Sequence, residues 1–203
     1  MGKELLVRSV KVDDLQKLLS IHRDAFEGYM NTKLGVEYII EFLKWFTLQQ
    51  DAISLLVESD EKIHGYVVGA TIGYGSRLTK AIGKTVIKYL IFHPWLLTNK
   101  KILNNLLSRI KNIFQPTSKP NITLKDLKGI SLVGIGVSKS SRGHHYGSHL
   151  IKSFEEKARE MKFNYMRLSV YSNNTTAISF YKKNGWEFMD EESGLSYFYK
   201  KLF

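Results

Sequence analysis

Cysteine is absent from the 203 residues, which excludes a disulfide framework, a thiolate metal site and a cysteine nucleophile. Long apolar runs are missing too. None reaches the roughly 18 residues that a membrane-crossing helix needs. The opening MGKELLVRSVKVDDL lacks the apolar stretch of a secretory signal, and Leu6 stands where a myristoylation signal has Ser or Thr. The expectation is a soluble, cytoplasmic protein with at most peripheral membrane contact. No linker rich in Pro, Ser or Gly divides the chain, and no internal repeat is visible. Residues 1–203 are therefore expected to form one domain, with 43% hydrophobic residues to build its core.

A third absence is local. No acidic residue stands between Glu61 and Asp126, a stretch that holds eleven basic ones: Lys62, Arg77, Lys80, Lys84, Lys88, Lys100, Lys101, Arg109, Lys111, Lys119 and Lys125. Outside it, acidic and basic residues are equal in number, so this segment supplies the whole net charge of +11.

Periodicity gives the order of elements. ELLVRSV reads as a strand, and VDDLQKLLSIHRDAF as a helix with Asp13 or Asp14 at its N-cap. VEYIIEFLKWFTLQ resumes a helical period after a break at GYMNTKLG. AISLLVES and IHGYVVGATIGYG form a hairpin around the polar turn DEK. The acid-free segment reads as two or three helices, broken at Pro94 and followed by the loop QPTSKPN. GISLVGIGVS and NYMRLSVY are strands, each followed by a helix, and WEFMD and LSYFYKKLF are final strands. The sum is a mixed α/β fold with helices on both faces of a mostly antiparallel sheet.

Chemistry concentrates in two stretches. In IGVSKSSRGHHYGSHL a strand turns into a helix through Arg142, Gly143, His144, His145, Tyr146, Gly147 and Ser148. First-turn amides of a helix have no internal partners and carry the positive end of its dipole, so such a turn suits a phosphate. On these residues alone an ordinary glycine turn stays equally open. A zinc site at His144, His145 and His149 is not expected, because no Cys or carboxylate stands at ligand spacing. No metal is expected elsewhere. The second stretch, LSVYSNNTTAISFYKKNGWEF, runs strand, polar turn, short helix, glycine stop and aromatic strand.

Together the two stretches resemble the GNAT superfamily of acyl-CoA-dependent N-acyltransferases. Val137, Arg142, Gly147, Asn174, Ala177, Tyr181, Gly185 and Trp186 match its pattern in order, over about residues 129 to 190. The N-terminal strand, helices and hairpin also fit. The resemblance implies acetyl-CoA as cosubstrate, bound where neighbouring strands after residues 130 and 164 splay apart. It implies main-chain bonds from Ile135, Gly136 and Val137 to the pantetheine arm, and an amide near Ile135 as oxyanion donor. The pyrophosphate falls to Arg142 through Ser148. Asn174 is implied to bond the pantetheine or the strand break, although a bare Asn there also reads as a helix cap. Tyr181 is implied to protonate the departing thiolate, where otherwise it reads as a packed aromatic. One position departs from the pattern: His145 occupies the place of the first glycine, so its side chain must point away from the pyrophosphate or join in binding it.

The general base stays open among Glu27, Asp24, His22 and a water chain. The interval 74–128 is an insertion between the third and fourth strands. It reads as a packed helical flap, as part of a site for an anionic acceptor, or as a peripheral membrane contact. No nucleic-acid motif accompanies its charge. AFEGYMNTKLGVEYIIEFL resembles GNAT members associated with surface-polysaccharide synthesis, which points toward a small amino-sugar or nucleotide-linked amino-sugar acceptor. Two rivals remain. One is a protein N-terminal or lysine acetyltransferase; the other is a catalytically lapsed module that binds a membrane or a polyanion. The oligomeric state is open, with a homodimer among the arrangements.

Overall fold

The computed structural model describes residues 5–92 and 128–203. The first strand, β1 (Leu6–Ser9), leads through a 3-10 turn at Val12–Asp14 into α1 (Leu15–Ala25). Asp14 precedes α1 as expected of a cap, but its carboxylate does not cap it. It accepts instead from the Lys11 amide at 2.8 Å and from Arg8 at 2.7 Å. The Arg8 guanidinium holds this carboxyl below its ordinary range.

The break at GYMNTKLG contains a single helical turn, α2 (Met30–Lys33), before α3 (Gly35–Leu48). β2 (Ala52–Ser59) and β3 (Lys62–Thr71) form the expected hairpin, with Asp60 and Glu61 both at positive φ in the turn. That backbone matches the twist of the flanking strands. α4 (Tyr74–Phe92) follows, then β4 (Gly129–Val137), α5 (Tyr146–Glu160), β5 (Tyr165–Tyr171), α6 (Thr175–Lys183), β6 (Glu187–Glu192) and β7 (Leu195–Lys201).

Among the described residues seven strands form one sheet, in the order β1-β2-β3-β4-β5-β7-β6. Every pairing is antiparallel except β4 with β5. Alternation along the strands divides the core between two faces. Leu56, Tyr66, Val68 and Ala70 pack with the buried residues of α1 and α3, among them Leu18, Ile39, Phe42 and Phe46. Leu55, Val57, Val67 and Ile130 pack with Leu150, Ile151 and Phe154 of α5.

Of the insertion, the described part is α4, which lies against α3 through Leu78, Ile82 and Tyr89. Arg77 pairs with Asp51, and Lys88 pairs with Glu37 at 3.2 Å. The remaining expected helices, the Pro94 break, the QPTSKPN loop and the cations from Lys100 to Lys125 lie outside the described residues. Among the described residues no helix is long and apolar enough to cross a membrane.

Candidate active site

The site begins where a ladder stops. β4 pairs with β3 from Ile130 to Val137, but with β5 only over Gly129–Ser131 against Tyr165–Arg167. Beyond that point the two parallel strands part. Val133 is an extra residue in β4, between Leu132 (opposite Gly69) and Gly134 (opposite Val68). Such a bulge bends its strand, and pairing with β3 resumes at Gly134. Alternate backbone N–H and C=O groups of Leu132–Val137 therefore face the split without a strand partner.

Two glycines bring α1 down onto this part of β4. A β-carbon at Gly136 would lie 2.9 Å from Ala25 Cβ and 3.1 Å from the Tyr66 ring, and one at Gly134 would touch Phe26 at 3.5 Å. Ile135 and Val137 alternate to the other face and join the cluster around α5.

The strand runs directly into the loop. The Ser138 amide donates to the His64 carbonyl at 2.9 Å, Lys139–Ser141 make a 3-10 turn, and Arg142 is extended. Gly143 (φ 83°) and His145 (φ 61°) are left-handed, and α5 starts at Tyr146. Among the described residues no side chain caps α5, so its first-turn amides are available to an anion at the positive end of a 15-residue helix. Nothing stands within 4 Å of a β-carbon placed on Gly143. Gly147 serves packing as well, because a β-carbon there would come within 3.1 Å of Phe180 on α6. Arg142 donates to the Asp24 carbonyl at 3.2 Å, and Lys139 pairs with Glu27 at 2.8 Å, so α1 flanks the loop. His144 and His149 are exposed. Among the described residues no cluster of side chains is fit to hold a metal.

His145 explains its own departure from the glycine pattern. The position needs left-handed backbone, which glycine adopts freely and histidine tolerates at a cost. His145→Gly is expected to raise stability by about 1 kcal/mol, read in thermal or urea unfolding.

On α6 the Asn174 side chain is the N-cap, accepting from the Ala177 amide at 3.1 Å, while its Nδ2 donates to the Tyr29 hydroxyl at 3.2 Å. Tyr181 is 7% exposed, with its ring against Phe180, Trp186 and Phe198. Its hydroxyl has no hydrogen-bond partner among the described residues. Burial pushes the phenol pKa up, with a smaller electrostatic contribution from Tyr29. Tyr181 therefore keeps its proton at neutral pH.

Tyr29, which the sequence pattern does not single out, joins the two walls of the split. Its ring meets Phe26 edge-on at 5.6 Å and Tyr171 at 5.3 Å. Phe26 lies over Gly134 of β4, whereas Tyr171 ends β5. The only advance sign of this bridge is the aromatic spacing in AFEGY.

The three side chains considered as base differ in kind. His22 is 2% exposed, with Nδ1 2.6 Å from the Tyr66 hydroxyl and Nε2 without a partner among the described residues. Burial pushes its pKa down to about 4, so the imidazole is neutral inside the core. Glu27 is exposed, and the hydrogen bond from Lys139 holds its carboxyl below the ordinary range. Asp24 takes part through its backbone carbonyl. The structure brings Arg142–Ser148 and the Ile135–Val137 edge together, and Asn174 and Tyr181 on α6 join them through the Gly147–Phe180 contact.

Comparison with known proteins follows the same lines. The description Acetyltransferase (GNAT) family matches residues 15–186. No curated protein matches the chain in sequence. Among solved structures, the PaiA N-acetyltransferase of Thermoplasma acidophilum, in complex with coenzyme A, is similar with a TM-score of 0.62. It is 14% identical, over 98% of this chain and 99% of that one. The ribosomal-protein-alanine N-acetyltransferase of Brucella melitensis is 17% identical over 97% and 99%, with a TM-score of 0.59. YncA of Salmonella typhimurium, solved with its cofactor acetyl-CoA, is 11% identical over 98% and 94%, with a TM-score of 0.58.

Proposed function

Because the chain belongs to the acetyltransferase (GNAT) family, we propose that it moves an acetyl group from acetyl-CoA to a primary amine at the split between β4 and β5. The observation that carries this reading is the end of β4–β5 pairing after Ser131 and Arg167, beside the uncapped start of α5. Acetyl-CoA, when bound, supplies an activated acyl carbon and a thiol leaving group.

The chain's residues divide the work. Backbone groups of Ile135, Gly136 and Val137 hold the pantetheine arm in place of a neighbouring strand. An amide near Ile135 stabilises the oxyanion, a role that needs no side chain. The first-turn amides of α5 and the crest Arg142–Ser148 hold the pyrophosphate. Tyr181 releases its proton to the sulfur as the amine nitrogen bonds to the acyl carbon and the carbon–sulfur bond breaks. Asn174 keeps α6, and so Tyr181, at the mouth of the split.

A side-chain base on β4 is ruled out on the α1 face, because positions 134 and 136 are glycines packed under Phe26 and Ala25. His22 is sealed in the core, and Glu27 is tied to Lys139. We therefore assign removal of the amine's proton to water.

The acceptor is proposed to be a small amine, with amino sugars first among them. The case for an anionic acceptor rests on the insertion, where Arg77 and Lys88 are already engaged by Asp51 and Glu37. A protein α-amine is the second reading, favoured by the likeness to the Brucella enzyme named for ribosomal-protein alanine. Amine-dependent release of CoA thiol decides between them, with nucleotide-linked amino sugars, free amino sugars and alanine-starting peptides as acceptors. Turnover with the sugars alone supports the first reading, and turnover with the peptides alone replaces it by the second.

A further inference from the structure

The crest of the anion-binding loop, Arg142–His145, is shaped by two left-handed residues, Gly143 and His145. Left-handed backbone is unfavourable for a residue with a side chain, and no side chain among the described residues caps the helix that follows. Such a crest keeps one shape only when its ends are held. Both ends rest on one side chain, His64 of β3.

Just before the crest, Ser141 Oγ lies 2.8 Å from His64 Nδ1. Just after it, the Tyr146 ring lies parallel to the imidazole, with centroids 4.3 Å apart and planes 3° apart. His64 is anchored in turn, because Nε2 lies 2.8 Å from Ser59 Oγ at the end of β2. Its carbonyl also accepts from the Ser138 amide at 2.9 Å. Ser138 Oγ donates to Ser141 Oγ at 2.7 Å. Both ring nitrogens of His64 are thus engaged by serine hydroxyls, Nδ1 by Ser141 and Nε2 by Ser59. Ser59 and Ser141, at the two ends of His64, are 5% and 4% exposed, and His64 itself is half-buried.

We propose that His64 is a positioning residue that preorganises the loop for the anionic part of acetyl-CoA, by fixing Ser141 and Tyr146 on either side of the crest. The inference rests on the acetyl-CoA reading above. A loop already in its bound shape loses less conformational freedom on binding, so its affinity is higher. His64 contacts neither Tyr181 nor the α6 cap in this network, so affinity and turnover separate.

The test is calorimetric titration with acetyl-CoA together with steady-state kinetics on the full chain. His64→Leu is expected to raise Kd and KM for acetyl-CoA about tenfold and to hold kcat at saturation within about twofold. Ser141→Ala should raise Kd by a smaller factor, and in the His64→Leu background it should add little, because both act through one contact. An unchanged Kd in folded His64→Leu overturns the proposal. So does a loss confined to kcat. Should His64→Leu not fold, Ser141→Ala decides: a raised Kd supports the proposal and an unchanged one overturns it. Wild-type protein that gives no heat with acetyl-CoA overturns the functional reading itself, a result distinct from equal binding by wild type and variants.

Discussion

Tyr181→Phe lowers kcat by about a hundredfold or more, while Kd for acetyl-CoA stays near that of the wild type. A positioned proton donor contributes about 10²- to 10⁴-fold to such a step, and the substitution removes only the hydroxyl. The ring keeps its contacts with Phe180, Trp186 and Phe198, so the α6 side of the core is preserved. The hydroxyl has no partner in the described structure that its loss would leave stranded. Burial raises its pKa, so the phenol stays protonated through the neutral and mildly alkaline range. Alkaline loss of activity in the wild type must then come from another group. Steady-state kinetics on the two proteins, with far-ultraviolet circular dichroism to verify folding, checks this. Equal kcat values would remove Tyr181 from proton transfer.

The second large effect is on stability. His22 is neutral in the folded chain, with its pKa pushed down to about 4 by burial, against an ordinary value of 6.5. The sign follows from linkage. Below pH 6.5 the unfolded chain takes up a proton that the folded chain refuses, so the stability present above pH 6.5 falls as the pH drops toward 4. The loss amounts to about 3 kcal/mol between pH 7 and pH 4. Urea unfolding across that range measures it.

The double variant His22→Phe/Tyr66→Phe removes both members of the buried pair and is expected to flatten this part of the curve. His22→Phe alone strands the Tyr66 hydroxyl, which is fully buried, and costs roughly 1–3 kcal/mol at pH 7. A wild-type curve that stays level from pH 7 to pH 4.5 would show that His22 takes up its proton in the folded state.

Much of the architecture could be read from the chain because local patterns and tertiary burial agree. Leu15, Leu18, Leu19 and His22 repeat at helical spacing, and in α1 all are buried except Leu19, which is partly buried. The DEK turn closes the hairpin expected between the two strands on either side of it. The loop at Arg142–Ser148 and the cap at Asn174 were visible because a glycine turn into a helix and a helix cap demand particular residue types in a short span. What escaped depended on contacts distant in sequence. Gly134 and Gly136 look like weak points in a strand until Phe26 and Ala25 are seen to need their space. His64 carries no local signal and Tyr29 only the aromatic spacing in AFEGY, since their partners Ser141 and Asn174 lie 77 and 145 residues away. Of the two candidate caps, Asp13 and Asp14, it is Asp14 that precedes α1, but Arg8 and the Lys11 amide draw its carboxylate away from the cap. His145 stood out as a departure, yet only the backbone angle gives the reason.

Hydrogen exchange of backbone amides, with and without saturating acetyl-CoA, reports directly on whether the split and the loop are the binding site. Slowed exchange concentrated in residues 132–137 and 143–148, with β1 and β2 unchanged, is the predicted result. Acetyl-CoA that binds while leaving those amides at their free rates, or that produces no protection anywhere, would contradict it.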